Sequence, residues 1–372
     1  MNSIVERARH AYRRRRFGFP TGAIPRAELV GNDPTRWTPA HDANEPVRRP
    51  PRRFGKPAVD WDDSLLPFPQ TGVTHVRDGR IDGRFGWVLT GDNRVLMDDS
   101  WFGASFDAAA LLPTHFPRAR RLSGTCLNLT SDWTNINYGH LLLDGLSRFA
   151  IFERSGLGLD AVDHIYVNKP TSASNRRLIE ALGIPLAKCV WAEDSPMVRA
   201  DLVLSPSFPG TRRNYPDWVP SFLRRAVSDP ASRGRRLYIP RFTNRLLANE
   251  GEILGLLKAR GFEVYDHRHV PYEPDFFAGV DIIVGAHGAG LTNIAFRTPG
   301  MQVLELIPSD HVYPYYYTLA DAAGHHYSYL IGKSEVERPK GTFEPSTANF
   351  FIDETEFGAA LDTIILASVG AA

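Results

Sequence analysis

The sequence predicts an α/β protein with two doubly wound, Rossmann-like domains that face a cleft. Two consecutive series of short apolar runs alternate with helical patterns, which is typical of parallel sheets with crossover helices. Residues 206–235, rich in proline and glycine, separate the two series and are expected to connect the domains. A chain of 372 residues with 43% hydrophobic content is sufficient for two cores.

The first series defines a domain over residues 71–205. Its predicted elements are strands at 126–129, 164–167, 189–191 and 202–204, with helices at 138–154 and 175–182. Gly156 and Gly183 follow the two helices, and a glycine just past the last turn commonly ends a helix. Residues 72–100 alternate apolar and polar positions around Asp-Gly turns and predict a small antiparallel meander.

The second series defines a domain over residues 236–350. Its predicted strands are 237–239, 262–265, 281–284, 302–306 and 327–330. Asn249, with Glu252 three residues later, predicts a capping box at the start of a helix that Gly261 ends. An apolar helix within residues 351–372 is expected to pack back on the first half of the chain.

Residues 1–70 are predicted to form an extended basic, proline-rich arm. Residues 1–56 hold thirteen Lys or Arg against five Asp or Glu, a net charge of +8 in a chain whose total is +1. The densest positive run is Arg13–Arg16, and the arm is either a solvated tail or a weak contact for anionic lipid headgroups. The balanced total charge gives no reason to expect a nucleic-acid partner.

Composition also bounds the compartment and the metal content. Cys126 and Cys189 have neither the number nor the spacing of a disulfide framework or a zinc site. The sequence shows no apolar run long enough to span a bilayer and no secretory signal, so we expect a cytoplasmic protein, peripheral to the inner face of the membrane if the arm binds lipid. We predict no bound metal and no cofactor, and the sequence predicts no oligomeric state.

A glycine-rich turn follows the buried strand at 281–284. Glycines allow a backbone to approach a bulky anion, and the helix expected after the turn offers unpaired N–H groups, so a diphosphate is the expected ligand. The residues assigned to this donor site are His287, Gly288, Ala289, Gly290, Leu291, Thr292 and Asn293. The alternatives are a tight turn with a purely structural role and a His287 satisfied by the backbone.

Three further residues lie at strand ends in the second series. Glu305 lies near the C-terminal end of the strand predicted at 302–306, where its carboxylate would accept from both ribose hydroxyls; the alternative is a buried structural Glu paired with an Arg. Arg241 follows another strand and Arg245 comes four residues later, where both would neutralise a diphosphate. Either arginine would instead anchor the loop by a salt bridge.

A histidine and an aspartate lie four residues apart at the start of the helix predicted at 138–154. This spacing places His140 and Asp144 on one helix face, where the carboxylate would orient the imidazole as a general base for a hydroxyl. If His140 fails as the base, Asp144 is the next candidate. The alternative is that both make local capping bonds.

Residues 122–330 resemble glycosyltransferase family 61, whose bacterial members are often labelled capsular polysaccharide biosynthesis proteins. The resemblance is carried by Asn137, Tyr138, Gly139, His140 and Asp144, by Arg241, Arg245, Asn249 and Glu250, and by residues 285–293 with Pro299, Gly300 and Glu305. It implies a two-domain GT-B fold with a nucleotide-sugar donor, commonly UDP-linked, in the C-terminal half. It also implies metal-independent inversion and a glycan or polysaccharide acceptor on the N-terminal half, where Asn137 and Tyr138 lie.

Two other functions remain open at this point. An NAD(P)-dependent oxidoreductase would bind a dinucleotide at the same turn and place an acidic residue about 20 positions later, where Glu305 falls. A non-catalytic module would bind a sugar nucleotide or a polysaccharide without turnover. The identity of the sugar, the acceptor and the linkage does not follow from the sequence.

Overall fold

The computed structural model describes Tyr12 and residues 19–31, 33–100, 116–336 and 346–369. It is a mixed α/β structure with two parallel-containing sheets. The chain divides into two compact units. The first unit comprises residues 1–43, 70–171 and 184–209, and the second comprises residues 44–69, 172–183 and 210–372. The predicted Arg13–Arg16 contact with lipid lies outside the described residues.

The first unit is organised around one mixed sheet. Its strands are β1 (Gly22–Ile24), β2 (Trp37–His41), β4 (Thr71–Arg77), β5 (Arg80–Asp82), β6 (Trp87–Leu89), β7 (Arg94–Leu96), β8 (Arg120–Asn128), β9 (His164–Val167), β10 (Cys189–Trp191) and β11 (Met197–Pro206). β11, β8, β9 and β10 run parallel to their neighbours in that order. The strand bounds predicted for 164–167 and 189–191 are confirmed.

The predicted meander is part of this sheet and not a separate layer. β5, β6 and β7 pair antiparallel in succession, while β4 pairs antiparallel with β11. Apolar side chains of β4 to β11, including Val76, Ile81 and Cys126, form a buried core under the sheet. Antiparallel and parallel strands therefore share one hydrophobic face in this unit.

The helix predicted at 138–154 is interrupted. The segment consists of α1 (Tyr138–His140), a π-helical stretch (Leu141–Leu146) and α2 (Arg148–Arg154). The Ser147 amide donates to the carbonyl of Leu142, five residues back, at 3.1 Å, and this bond defines the wider turn. Gly156, with φ of 78°, ends the segment as predicted.

The second unit contains a doubly wound sheet. Its strands are β3 (Arg52–Phe54), β12 (Arg235–Ile239), β13 (Glu263–Val264), β14 (Val280–Ala286), β15 (Gln302–Pro308), β16 (His326–Ser334) and β17 (Phe350–Phe351). The parallel order is β13-β12-β14-β15-β16-β3, with β17 antiparallel to β16. All seven residues of β15 are buried, as expected for a central parallel strand covered on both faces.

Helices α3 (Ala173–Ala181), α4 (Trp218–Leu223), α5 (Glu250–Lys258), α6 (Glu273–Ala278), α7 (Tyr315–Ala322) and α8 (Glu354–Val369) belong to this unit. Phe357, Leu361 and Ile364 of α8 share a core with Ile253 and Leu257 of α5. The expectation that the last helix packs on the first half is therefore wrong. Its buried face is apolar enough to complete the second unit's own sheet.

The prediction of an extended arm over residues 1–70 is also wrong for the described residues. β1 and β2 pair with β7 and β4 in the first unit, while β3 pairs with β16 in the second. Arg48 is buried and bonds Asp321 at 3.3 Å. Strands of three to five residues are too short to show a periodic pattern, so no pattern in this region indicated them.

Other boundaries also differ from the prediction. The units meet in sequence between Pro209 and Gly210, so residues 210–235 belong to the second unit, as does α3. The Asn249 capping box is absent: the Asn249 side chain instead exchanges hydrogen bonds of 2.9 and 3.2 Å with the backbone of Ile352. No helix in the described ranges is long and apolar enough to cross a bilayer.

Acid should destabilise this fold through His325. Its Nδ1 accepts from the Met301 amide at 3.3 Å and its Nε2 donates to the Ile294 carbonyl at 2.9 Å. Burial lowers the pKa of His325 to about 4, so between pH 6.5 and 4 the unfolded chain binds a proton there that the folded chain does not. This contribution to stability is present above pH 6.5 and is lost as pH falls.

His325→Gln should therefore reduce the loss of unfolding free energy between pH 7 and pH 5 by about 2 kcal/mol. The variant keeps a donor for the Ile294 carbonyl. Urea unfolding at both pH values measures the difference, and equal pH dependence in both proteins would contradict the assignment.

Candidate functional site

The glycine-rich turn connects two adjacent strands of the second unit's sheet. β14 ends at Ala286, opposite Leu306 of β15, and the His287 amide donates to the Leu306 carbonyl at 2.9 Å. In the register, Gly285 lies beside Glu305. The ladder thus carries His287 to the carboxyl edge of the sheet, where ligands of open α/β sheets bind.

The glycines of the turn are required by packing. Gly288 has an extended backbone with φ of 171°, but a Cβ there would overlap the Arg241 guanidinium. A Cβ at Gly290 would lie 2.8 Å from Cγ2 of Ile239, closer than real contacts allow. The sequence analysis expected these glycines to make room for an anion. In the structure, they make room for the Arg241 side chain and for Ile239 at the end of β12.

His287 is tied to a buried carboxyl group. Its Nδ1 lies 2.5 Å from Oε1 of Glu305, and the Tyr327 hydroxyl donates to Oε2 of the same carboxyl at 2.5 Å. Glu305 has no exposed surface. The expectation that Glu305 accepts from a ribose is therefore revised: both oxygens are engaged by His287 and Tyr327, and its predicted alternative partner, an arginine, is not the one found.

Burial sets the protonation of this pair. It raises the pKa of Glu305 to about 8 and, with the charges of Arg245 and Arg241, lowers the pKa of His287 well below its usual value. Both groups are then neutral at pH 7. In that state, Glu305 donates to Nδ1 and His287 carries its hydrogen on Nε2, which is a suitable donor for an anion.

The two predicted arginines lie around this histidine. Arg241 donates to the backbone carbonyl of Asn244 at 3.1 Å and to its side-chain oxygen. Arg245 lies 3.0 Å from Nε2 of His311 and 3.3 Å from the Ser346 carbonyl. In the described part of the chain, neither guanidinium pairs with a carboxylate, so the predicted salt-bridge alternative is not found.

Both arginines are partly desolvated. Burial lowers the pKa of Arg241, and burial together with the charge of Arg241 lowers the pKa of Arg245 to about 10. The Arg245 backbone is left-handed, with φ of 51°, and its Nε is buried without a hydrogen-bond partner. Two half-buried cations with no carboxylate partner in the described ranges favour an anionic ligand.

Four residues beside His287 were not assigned from the sequence. The rings of His311 and Tyr316 lie 4.9 and 5.1 Å from the His287 ring, and Tyr313 stacks on Tyr315 at 5.1 Å. Burial lowers the pKa of His311 to about 2, so it is also neutral. The run of tyrosines at 313–317 was the sequence signal for this aromatic wall.

The predicted helix after the turn is a 3₁₀ helix, Ala289–Phe296. Ala289 and Gly290 are half-buried and remain candidates for ligand contact, whereas Leu291, Thr292 and Asn293 are buried. The Asn293 side chain donates to the Gly290 carbonyl at 3.0 Å. The side chains of these three residues therefore shape the turn from within, and their contact with the donor stays a prediction.

In the first unit, the predicted pair is formed. His140 Nδ1 lies 2.6 Å from Oδ2 of Asp144, with the imidazole 20% exposed and the carboxylate nearly buried. Asp144 lies in the π-helical stretch. Asn137 accepts from the amides of Gly139 and His140, so its side-chain oxygen caps the helix and is not presented to an acceptor, and Tyr138 is half-buried.

A fully buried arginine, Arg148, holds the helical segment that carries Asp144 in place. Arg148 donates to the carbonyls of Thr130 and Pro206 at 2.5 and 2.8 Å. Desolvation lowers the pKa of Arg148 to about 10. The arginine thereby joins α2 to the segments that follow β8 and end β11, and it fixes the base of the helix that carries Asp144.

The described residues contain no group of three or more His, Cys, Asp or Glu arranged to hold a metal ion. Unit by unit, the described residues provide a carboxylate-oriented histidine in the first and two arginines beside a buried histidine in the second. Those two features are the ones that a sugar-transfer enzyme using an activated phosphate donor requires.

Comparison with known proteins agrees with this class. Residues 138–304 match the model of the family described as Glycosyltransferase 61, which confirms the resemblance over this segment. The segment covers less than half of the chain. It includes His140, Asp144, both arginines and the glycine turn, and it ends one residue before Glu305.

Curated relatives match over a short stretch. Alpha-1,3-arabinosyltransferase XAT3 of Oryza sativa subsp. japonica is 34% identical over 84 residues, which is 21% of this chain and 15% of the relative. Beta-1,2-xylosyltransferase XYXT1 of the same organism is 30% identical over 89 residues, 23% of this chain and 19% of the relative. The matches thus span less than a fifth of the relatives' length.

A solved structure, the bacterial iron-containing dodecameric glycosyltransferase TibC from enterotoxigenic E. coli, is 12% identical. The alignment covers 79% of this chain and 92% of that chain, with a TM-score of 0.32. At this TM-score the likeness does not establish a shared arrangement.

Tyr327→Phe should lower the free energy of unfolding by about 1–3 kcal/mol, because Oε2 of the buried Glu305 loses its donor. Urea denaturation measures the change. Tyr329→Phe is the matched control: Tyr329 lies on the same strand, packs its ring 5.2 Å from Trp61, and keeps that ring in the variant. Equal losses in the two variants would show that the Glu305 contact contributes nothing.

Proposed function

We propose that the protein is an inverting, metal-independent glycosyltransferase that moves a sugar from a nucleotide diphosphate donor, UDP-linked in the first instance, to a hydroxyl of a glycan or polysaccharide. The observation that carries this proposal is the pair Arg241 and Arg245, half-buried beside His287 and, among the residues that the structure describes, not paired with a carboxylate. The family of residues 138–304 supports the same class.

The donor half of the proposal rests on charge and direction. Two guanidiniums match the charge of a diphosphate and stay ionised at neutral pH. His287 Nε2 and the half-buried Ala289 and Gly290 offer neutral N–H donors at the end of β14. This environment would stabilise the negative charge that develops on the leaving diphosphate.

The chemical step needs a base on the acceptor. Asp144 holds Nδ1 of His140, so Nε2 is the ring nitrogen that would accept the proton of the acceptor hydroxyl. The acceptor oxygen then forms a bond to the anomeric carbon as the carbon–oxygen bond to the diphosphate breaks. The electron pair of that bond leaves with the diphosphate, and attack from the opposite face inverts the centre.

The structure weakens the dinucleotide alternative. A dinucleotide-binding enzyme would need Glu305 to hold a ribose, but the Glu305 oxygens contact His287 and Tyr327 in the interior.

The proposal includes the GT-B arrangement predicted from the sequence, with donor and acceptor held by different domains. It also includes a role in the assembly of bacterial capsular polysaccharide at the inner face of the membrane. The names of the relatives, an arabinosyltransferase and a xylosyltransferase, are the reason to include pentose donors in the test.

The first test is turnover of a donor panel by the purified full chain. UDP-arabinose, UDP-xylose, UDP-glucose and UDP-N-acetylglucosamine are incubated with and without mixed oligosaccharide acceptors, and UDP release is measured. At least one donor should turn over, and excess EDTA should leave the rate unchanged. His140→Ala should lower the rate about 10²- to 10⁴-fold while UDP still binds.

Near-normal transfer by folded His140→Ala would remove this base from the mechanism. Turnover of none of the four donors, together with no binding of UDP by calorimetry, would count against the proposed function. Loss of activity with EDTA that returns on adding Mn²⁺ or Mg²⁺ would overturn metal independence.

Gly288→Ala should weaken UDP binding about 10- to 100-fold, because the new Cβ displaces the Arg241 guanidinium. The displaced atoms end a flexible side chain, so the fold should tolerate the change. Gly255→Ala is the control: it lies in α5 with open space around it and should raise stability by about 0.5–1 kcal/mol. Calorimetric titration with UDP should find the control's affinity unchanged, and equal affinity in Gly288→Ala would disprove Arg241 as a ligand.

A further inference from the structure

The loop before α1 contains an exposed tryptophan in an unusual backbone conformation. Trp133 has φ of 61°, in the left-handed region that favours glycine, and its side chain is 46% exposed. A bulky residue with this φ is a genuine outlier, and such outliers cluster at ligand sites. Glycine or asparagine would occupy the position with less strain and without exposing an indole.

The surrounding loop holds Trp133 outward. Thr134 and Ser131 are buried, and the Thr134 hydroxyl donates to the Ser131 carbonyl at 2.7 Å while the Ser131 amide donates back to it at 3.2 Å. The Trp133 carbonyl accepts from the amides of Ile136 and Asn137 at 3.1 and 2.9 Å. These bonds fix the backbone on both sides, so the indole is presented to solvent by a built turn.

The turn leads directly into the proposed catalytic helix. Asn137, whose amide bonds the Trp133 carbonyl, caps the helix that begins at Tyr138 and carries His140. Trp133 and His140 are therefore separated by one turn of loop and one turn of helix. The indole thus belongs to the loop that immediately precedes the helix of the proposed base.

The exposed side chains of the loop define the ligand's chemistry. They are Trp133, Asn135 and Ile136, the last 70% exposed, and none is charged; the loop's acidic residue, Asp132, is buried. An aromatic face with a neighbouring aliphatic group packs on the C–H face of a sugar ring, while the Asn135 amide and the indole N–H can bond hydroxyls. An uncharged, amphipathic surface fits a neutral glycan better than a nucleotide or an acidic polymer.

We infer that Trp133, with Asn135 and Ile136, forms a subsite that stacks a sugar ring of a neutral acceptor glycan next to His140. This inference deepens the proposed function and rests on it for the acceptor role. Binding of a glycan to the loop, however, is measurable without any donor.

Calorimetric titration of the full chain with xylohexaose, cellohexaose, mannohexaose and maltohexaose tests the inference. At least one should bind and shift the tryptophan emission to shorter wavelength as the indole leaves water. Trp133→Gly should weaken that binding at least tenfold. Trp133→Phe, which keeps a ring, should bind the glycan with an affinity between those of the wild type and Trp133→Gly. Because glycine accepts φ of 61° without strain, Trp133→Gly should unfold at the same or a higher urea concentration than the wild type.

Phe351→Ala is the matched control, since Phe351 is an aromatic of 48% exposure on β17 of the second unit; its glycan affinity should equal the wild type. Binding of none of the four oligosaccharides, or equal binding by the wild type and Trp133→Gly, would overturn the subsite. Titration of the wild type with UDP reports separately on the proposed function. If UDP does not bind while a glycan binds and depends on Trp133, the proposed function is wrong and the glycan subsite stands.

Discussion

The geometry of the second unit's site depends on one buried carboxyl group. Glu305 lies on β15, its oxygens engage His287 after β14 and Tyr327 on β16, and Trp61 packs 6.5 Å from the Tyr327 ring. Side-chain hydrogen bonds thus link β14, β15 and β16, the same three strands that the backbone hydrogen bonds hold side by side. A carboxyl group so far from water is tolerated because both of its oxygens are hydrogen-bonded and because burial favours its neutral form.

The parts of the fold predictable from sequence were those with continuous apolar runs. The strands at 164–167 and 189–191 have the predicted bounds, since each is a short, mainly apolar run. The edge strands at 22–24 and 52–54 were missed because three residues cannot show a period. The π-helical stretch was missed for a different reason: one extra residue in a turn leaves the helical pattern of apolar residues almost unchanged.

The site was predictable to the level of residue identity and less so to the level of role. His140 and Asp144 met as their spacing required, because four residues is a helical contact distance. Glu305 was assigned correctly to a strand but not to its end, since β15 continues to Pro308, and its ligand role depended on whether the carboxylate faced solvent. That outcome is decided by β16 and Tyr327, which lie about 20 residues later and leave no mark on the local sequence.

In the second unit, the positive charge and the oriented hydrogen-bond donor beside β14 come from different residues. The histidines are neutral because burial and the two guanidiniums lower the pKa of His287 and His311, so arginines alone supply the positive charge near neutral pH. His287, fixed by Glu305, supplies an oriented hydrogen-bond donor without adding charge. Arg241 reaches this position because Gly288 has no Cβ. The absence of a Cβ at Gly288 therefore makes room for the Arg241 guanidinium, a role that the sequence pattern of the turn did not indicate.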